Sequence, residues 1–443
     1  MSINNLGIKD DENLLRRFKE RVSKVDFIKE NTRNKINELN EGVELHLQSS
    51  ILLDIWSLLL TDAIIFLKSN DEREEYHDEM TLGMEKLRAF MEGYSKFEAI
   101  LYGSITSYRD HIAHVLRVYI LGDRIISESF GYRSIDLVPK KLEGTLIIKD
   151  QEKEAIWGII SLSHDLGLPL QAIHRINQEV RDILYKIGVF SFEEFGSSYF
   201  TQFSSMNDFA LRFISSDLEM NDEGKIYNHI QSKYYQKYLS ALSRFDHGVV
   251  SSIILMKDLV YFKESDFTMD NFRTLKVEDA RHFLIRREIL RAIASHSCDD
   301  IYYLWITNFP FILTVCDEMQ EWGRPKLKDV TKRMGPETEL TINNFNEDEV
   351  NYKITFSFDT GQKPSTETEM KNVRDEIEKY FAIKYRKWCN VLRSGVSWKR
   401  KIKLRFEVED RTNEEAITYY LLDHKTPDDV KAFKNNDPYE VIL

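Results

Sequence analysis

Hydrophobic residues recur at helical spacing along most of the chain. Near the N-terminus the residues with this spacing are Leu14, Leu15, Phe18 and Val22, and charged residues fill the other faces. The same pattern predicts helices from about residue 10 to 100, from about Tyr102 to Ile187 and from about Tyr227 to Gly323. The stretch from Phe190 to Asp222 has weak periodicity, which predicts an irregular insertion.

The pattern changes to period two in the C-terminal part of the chain. Hydrophobic and polar residues alternate in Asn351–Asp359 and in Lys401–Glu409, which predicts two half-buried strands. Between them, one helical face carries Met370, Val373, Ile377, Tyr380 and Lys384. The sequence therefore predicts a mainly α protein with three parts: an N-terminal helical region (1–98), a helical domain (99–325) and a small C-terminal α+β domain (336–443).

The most apolar stretch runs from Ile51 to Leu67 and is 17 residues long. It contains Asp54 and Asp62, and two carboxylates in a span of marginal length argue against a membrane helix. The N-terminus carries acidic residues early and has no apolar core, so it lacks the pattern of a signal peptide. We therefore expect a soluble protein in which this stretch is a helix buried against other helices.

Composition narrows the class of protein further. Of the 443 residues, 42% are hydrophobic and 30% are charged, which supplies a core and excludes a disordered chain. The three cysteines, Cys298, Cys316 and Cys389, form no CxxC pair, so we expect a cytoplasmic protein with reduced thiols and no zinc ribbon. The net charge of −12 disfavours a long polyanion as partner, although a local basic groove stays open.

Histidines and aspartates lie within or at the ends of apolar helical runs in the central domain. An ionisable group in such a place is costly unless it pairs or holds a metal. The set consists of His114, His164, Asp165, His247, His296 and Asp317. Its nitrogens and oxygens are ligands that Mn, Fe, Co, Ni or Mg ions accept. Because its members are far apart in sequence, except for one adjacent pair, they would have to converge from separate helices of a bundle.

The order His … His-Asp … His … His … Asp resembles the HD-domain superfamily of metal-dependent phosphohydrolases. The helix HVLRVYILG, which begins at His114, is similar to the first metal-binding helix of that family, and SLSHDLGLP is similar to its HD turn. Asp317, near the end of the apolar run FPFILTVCDEM, resembles its final aspartate ligand. His247 and His296 are similar to the extra ligands of its two-metal branches. The resemblance covers about residues 100–325 and implies a helical HD-domain bundle.

The resemblance implies a centre with one or two divalent metal ions. The residues that would hold the first ion are His114, His164 and Asp317, and those that would hold the second are His247 and His296. Asp165 would bridge the ions, and it would be catalytic together with His247 and His296, since a metal-activated water attacks the phosphorus of a bound ester. The implied protein is a hydrolase, namely a phosphohydrolase or phosphodiesterase that acts on a nucleotide or cyclic nucleotide as its small phosphate-ester substrate.

Other interpretations of these residues stay open. Any one imidazole could be a core histidine that is hydrogen-bonded to the backbone or to a carboxylate. The run DHG that contains His247 could be a helix N-cap, and the run SHSCDD around His296 could be a helix-ending loop. His111 shares the helical face of His114, so it could be a site residue or could contact a site residue from outside the site.

Most charged residues outside this set are expected to face solvent. A second His-Asp pair, His77-Asp78, lies in the charged stretch EREEYHDEM and is expected to face solvent. Glu321 is also expected to face solvent, whereas the sequence does not decide whether Glu318 does. The stretch from Lys384 to Arg405 carries nine Lys or Arg residues, no acid and two interleaved tryptophans. This composition fits a nucleic-acid surface, but we favour the solvent-facing sides of a strand and a helix.

Two functions compete with the metal-dependent phosphohydrolase. An HD-type nuclease would be favoured if the basic stretch faced the metal centre. A non-catalytic sensor or scaffold would bind a nucleotide without turnover, but retention of all six candidate ligands counts against it. The chain has no GxxxxGKS or GxxxxGKT loop, so it does not encode an NTP-driven motor. The sequence leaves open whether the protein is a homo-oligomer.

Overall fold

The computed structural model of the protein describes residues 3–70, 83–104, 111–188, 204–263, 274–323, 336–358, 366–393, 402–413, 415–423 and 431–438. These residues are mostly helical and include a mixed sheet in the C-terminal region, which confirms the prediction of a mainly α protein with a C-terminal α+β part. The chain forms two units. Unit 1 contains Met1–Ile55, Glu98–Ile135 and Asp299–Leu443, and unit 2 contains Trp56–Phe97 and Asp136–Cys298. Each unit combines segments distant in sequence, and the three consecutive domains expected above stay a prediction.

The elements are named here in chain order. The helices are α1 (Glu12–Val22), α2 (Glu30–Asn37), α3 (Ser49–Ser69), α4 (Met84–Ser104), α5 (Ile112–Ser129), α6 (Asp150–Ser163), α7 (Leu168–Lys186), α8 (Ser204–Ser215), α9 (Ser232–Ser243), α10 (His247–Asp258), α11 (Val260–Lys263), α12 (Val277–His296), α13 (Phe309–Met319) and α14 (Glu367–Leu392). The strands are β1 (Ile3–Ile8), β2 (Ser216–Met220), β3 (Ile226–Ile230), β4 (Thr274–Leu275), β5 (Glu337–Phe345), β6 (Glu349–Ser357), β7 (Lys403–Asp410), β8 (Ile417–Asp423), β9 (Lys431–Lys434) and β10 (Asp437–Pro438).

Unit 1 contains a seven-stranded sheet in the order β1-β5-β6-β7-β8-β9-β10. Neighbouring strands are antiparallel except β6 and β7, which are parallel and joined by the crossover helix α14. Strands β6 and β7 confirm the two strands predicted from alternation. The edge strand β1, which pairs with β5, was not predicted, because only five of its residues pair and their partners are more than 300 residues away.

Helix α14 packs on one face of this sheet, as its hydrophobic pattern predicts. The ring of Phe381 lies 5.9 Å from that of Phe406 on β7 and 5.6 Å from that of Tyr419 on β8. On the other face of β7, Lys403 and Arg405 are exposed, as expected for the solvent side of a strand. The residues from 394 to 401, with the middle of the basic stretch, lie outside the described residues.

Unit 2 is built around α12, which packs against α6, α8 and α10. A small antiparallel sheet of β2, β3 and β4 lies beside these helices. The prediction of an irregular insertion up to Asp222 was therefore wrong for α8 and β2, and the helix predicted from Tyr227 begins at Ser232, after β3. Five-residue strands leave little periodicity in the sequence, and these two are held by pairing with each other. Residues 189–203 of that insertion lie outside the described residues.

The apolar stretch Ile51–Leu67 forms the helix α3, as predicted. The segment Leu45–Ser69 is long and apolar enough to cross a membrane, but 61% of its apolar window is buried inside the protein. In unit 2, the indole of Trp56 on this helix donates a hydrogen bond of 2.7 Å to the carbonyl oxygen of Leu162. This burial is the pattern of a helix that packs against the rest of the protein.

A buried ion pair joins three distant segments of unit 1. The guanidinium of Arg117 donates to both carboxylate oxygens of Asp11 at 2.8 and 2.5 Å, and to the carbonyl oxygen of Gly323 at 2.8 Å. The indole of Trp322 donates to the same carboxylate at 3.1 Å. Gly323 has a φ of +63°, and a Cβ there would collide with the Arg117 guanidinium, so only glycine fits.

We expect the substitution Asp11→Ala to destabilise the protein by about 3–5 kcal/mol, because it leaves the Arg117 charge buried without its carboxylate. Denaturant unfolding measures this loss, and Glu20→Ala on the exposed side of α1 is the matched control. Burial raises the pKa of Asp11, but the hydrogen bonds and charge of Arg117 lower it more, so the pKa lies below its usual value.

The pH dependence of this loss follows from the lowered pKa of Asp11. A lowered pKa stabilises the folded state above the unfolded pKa of about 4, and this contribution disappears as the pH falls through the folded value. The difference between wild type and Asp11→Ala should therefore be full at pH 7 and should shrink below about pH 4. A difference that stays constant down to pH 2 would contradict this account.

Candidate metal centre

Two histidines of unit 2 stand at the ends of helices with one ring nitrogen fixed. His164 follows the last residue of α6, and its Nδ1 lies 2.7 Å from the carbonyl oxygen of Ser161. His296 is the last residue of α12, and its Nδ1 lies 2.6 Å from the carbonyl oxygen of Ile293. A carbonyl oxygen can only accept, so Nδ1 carries the proton in both rings. In each neutral ring the lone pair is therefore on Nε2.

The imidazoles converge on the carboxylate of Asp165, and we call His164, Asp165, His247 and His296 the Asp165 cluster. Nε2 of His164 lies 3.5 Å from Oδ2, whereas Nε2 of His247 and of His296 lie 3.4 and 3.9 Å from Oδ1. The two oxygens thus face different imidazoles. Nε2 of His247 and Nε2 of His296 are 3.1 Å apart.

Burial of the Asp165 cluster is nearly complete on all sides but one. The exposed fraction is 0% for His164, 6% for Asp165 and 2% for His296. The side chain of His247 is 20% exposed, so solvent reaches the cluster at that ring.

Two glycines allow the start of α10 to approach the cluster. A Cβ on Gly167, just after the HD pair, would collide with the carbonyl oxygen of His247. A Cβ on Gly248 would lie 2.5 Å from the carbonyl oxygen of Ile293 and 3.0 Å from Cε1 of His296. The glycines are therefore required by close packing, since their own backbone conformations are ordinary.

Hydrogen bonds then hold α10 in this place. The hydroxyl of Ser251 lies 2.7 Å from the carbonyl oxygens of both His164 and His247, and it accepts from the Gly167 N–H at 2.8 Å. Asp246 is the N-cap of α10, and its carboxylate accepts from the Val249 N–H at 3.3 Å. The N-cap interpretation of the DHG run is thus confirmed for Asp246, while the next residue belongs to the Asp165 cluster.

In unit 1, α5 and α13 bring a third fixed imidazole to a carboxylate. Nε2 of His114 lies 3.0 Å from Oδ1 of Asp317, and its Nδ1 lies 2.6 Å from Oε1 of Gln320. The Gln320 amide nitrogen donates to the carbonyl oxygen of Trp322 at 2.7 Å, which assigns Oε1 as the atom toward His114. Oε1 can only accept, so Nδ1 carries a proton, and Nε2 can face Asp317 only with a second proton or a bound cation between the two atoms.

These arrangements fit a divalent cation by the chemistry of their donors. Neutral imidazole nitrogens and carboxylate oxygens that face each other need positive charge between them, supplied by extra protons or by a metal ion. Donor atoms that bind one ion at about 2.1 Å lie about 3.0–3.4 Å apart in octahedral or tetrahedral geometry. Nε2 of His164 and Nε2 of His296 lie 3.5 and 3.9 Å from the Asp165 carboxylate, slightly more than that spacing.

Within each unit, the structure brings predicted ligands together. Four of them meet in unit 2 as the Asp165 cluster, and His114 meets Asp317 in unit 1. His111 is the N-cap of α5, with its ring 6.3 Å from that of His114, so it lies beside the pair. The pair His77-Asp78 lies outside the described residues.

Two functional neighbours were missed in the sequence. Gln320 follows Asp317 by three positions and Ser251 follows His247 by four, and these spacings place each on the face of a candidate ligand.

The prediction that Glu321 faces solvent was wrong. Its carboxylate is 8% exposed, because it makes an ion pair of 2.9 Å with the buried Lys384.

We expect Gly248→Ala to weaken Mn²⁺ binding about tenfold or more, because the added methyl group pushes α10 away from His296. Isothermal titration of the purified protein measures the dissociation constant. Gly93→Ala is the matched control, since Gly93 is an exposed position in α4 where a Cβ meets no atom within 4 Å. Equal affinities of the two variants would contradict the close packing described here.

Comparisons with known proteins gave no match. No protein-family model, no curated protein and no solved structure matches this chain. The resemblance to the HD-domain superfamily therefore depends on the order of the six residues, and the interpretation of the site depends on the geometry within each unit. Any function proposed for this chain is therefore supported by the sequence pattern and by the local geometry alone.

Proposed function

We propose that the protein is an HD-type metal-dependent phosphohydrolase or phosphodiesterase that acts on a nucleotide or cyclic nucleotide. The observation that carries the proposal is the Asp165 cluster, in which three buried or half-buried imidazoles turn Nε2 toward one carboxylate. A neutral imidazole has one ring N–H, so an ordinary core histidine would be expected to pair one nitrogen with an acceptor and the other with a donor. Here the fixed Nδ1–H of His164 and of His296 leaves Nε2 as a ligand.

The residues have separate roles in this proposal. His164, His247 and His296 would hold one or two divalent ions together with Asp165, whose two carboxylate oxygens face different imidazoles. The resemblance assigns His114 and Asp317 to metal binding as well. When bound, a divalent ion acts as a Lewis acid that lowers the pKa of water and neutralises charge on a phosphate ester.

The chain itself restricts what can bind. His247 is the only member of the Asp165 cluster with a substantial exposed fraction, so its ring would meet an incoming phosphate first. The net charge of −12 disfavours a long polyanion, but bound cations would set the local charge for a small phosphate ester. We place the protein in the cytoplasm, in keeping with its cysteines, which form no disulfide among the described residues.

The two alternatives have less support. A nuclease would need the basic stretch as a surface for the nucleic-acid backbone, and its first member, Lys384, is instead buried in an ion pair with Glu318 and Glu321. A sensor that binds a nucleotide without hydrolysis would not need the ligand arrangement of the Asp165 cluster. Both remain distinguishable from the proposal by experiment.

A hydrolysis panel tests the proposal. Purified protein is incubated with bis-p-nitrophenyl phosphate, cyclic nucleotides, dNTPs and short DNA, in Mn²⁺ and in excess chelator. We expect Mn²⁺-dependent hydrolysis of a small ester that falls by at least about a hundredfold in Asp165→Ala, because one carboxylate serves several ligand contacts. Asp222→Ala, on the exposed turn between β2 and β3, is the control with unchanged activity.

The outcomes of the panel separate the three functions. Cleavage of DNA alone would favour the nuclease, and nucleotide binding without turnover would favour the sensor. Activity that persists in chelator or in Asp165→Ala would contradict the proposed metal chemistry.

A further inference from the structure

The ammonium group of Lys384 is buried at the end of the helix that carries Asp317. Its Nζ lies 2.7 Å from the carboxylate of Glu318 and 2.9 Å from that of Glu321, and it donates to the carbonyl oxygen of Glu318 at 3.1 Å. Lys384 is 9% exposed and Glu321 is 8% exposed. Lys384 belongs to α14, more than 60 residues after α13 in the sequence.

These contacts partly balance the charges of Glu318 and Glu321. They also give the carbonyl oxygen of Glu318 a hydrogen-bond donor at the end of α13. The last carbonyl groups of a helix have no partner within the helix, and a cation there also meets the negative end of the helix dipole. Burial lowers the pKa of Lys384, but the charges of Glu318 and Glu321 raise it more, so the pKa lies above its usual value and the group stays charged. The segment after Asp317 is therefore fixed by a strong, buried ion pair.

Helix α14 is itself anchored to the sheet. One turn after Lys384, the indole of Trp388 donates to the hydroxyl of Tyr352 on β6 at 2.8 Å, and its ring lies 6.5 Å from that of Phe311 on α13. On the sheet side, the hydroxyl of Thr338 on β5 donates to the carbonyl oxygen of Glu321 at 3.1 Å. The residues that flank Asp317 are thus held from both α14 and β5.

We propose that Lys384 is a positioning residue that sets the place of the Asp317 carboxylate, so that metal binding at Asp317 depends on the C-terminal α+β part. The inference rests on the proposed function, because it takes Asp317 to be a metal ligand. It assigns to the α+β part a role in the site without any contact between that part and a metal. A ligand or partner that moved α14 would change the metal affinity through the contacts of Lys384 with Glu318 and Glu321.

A double-mutant cycle tests the inference in the full-length chain. We expect Lys384→Met to raise the Mn²⁺ dissociation constant about tenfold when Asp317 is present, and to change it less than twofold in the Asp317→Asn background. Lys384→Arg should restore most of the affinity, since a guanidinium can also bridge the two carboxylates. Arg386→Met, an exposed position on the same helix, is the control.

A second variant distinguishes the loss of positioning from misfolding. Lys384→Met leaves two carboxylates buried without a cation, so Lys384→Met combined with Glu318→Gln and Glu321→Gln removes the charge imbalance while still releasing the helix end. The inference expects this folded variant to bind Mn²⁺ as weakly as Lys384→Met. Wild-type affinity in that variant would overturn it.

The remaining outcomes separate this inference from the proposed function. An equal fold-change for Lys384→Met in both backgrounds would mean a general loss of structure and would overturn the positioning role alone. Failure of the wild type to bind Mn²⁺ would overturn the proposed function, and the positioning role with it.

Discussion

The candidate site depends on one constraint, the fixed proton on Nδ1 of three of its histidines. A carbonyl oxygen accepts from Nδ1 of His164 and of His296, and the amide oxygen of Gln320 accepts from Nδ1 of His114. With Nδ1 protonated, each Nε2 can face a carboxylate only with a second proton or a bound cation between the two atoms. Metal-binding histidines commonly have their second nitrogen hydrogen-bonded in this way.

The fold supplies this constraint through the ends of helices. The ends of α6 and α12 provide the carbonyl groups that orient His164 and His296, and two glycines let α10 come close enough for His247 to reach Asp165. In unit 1 the short segment after α13 orients His114 in the same way. It carries Gln320 toward His114 and is itself held by Trp322, Gly323 and the buried Asp11–Arg117 pair.

Periodicity in the sequence predicted the elements whose pattern is long. The helices around the histidines, the strands β6 and β7 and the helix α14 all have enough residues for their spacing to be read, whereas β2 and β3 are too short and exist because they pair. The six candidate ligands were named from their order and apolar context. Gln320 was not, although it follows Asp317 by three positions, and the role of Lys384 could not be predicted because its contact with Glu318 joins segments more than 60 residues apart.

The metal content of the purified protein tests the central claim most directly. The measurement is elemental analysis of wild type and of Asp165→Ala after identical purification, with folding of both checked by circular dichroism. The account predicts a stoichiometric transition metal in the wild type and loss of most of it in the variant, since both oxygens of Asp165 face candidate ligands. Metal content that is unchanged by the substitution would contradict it.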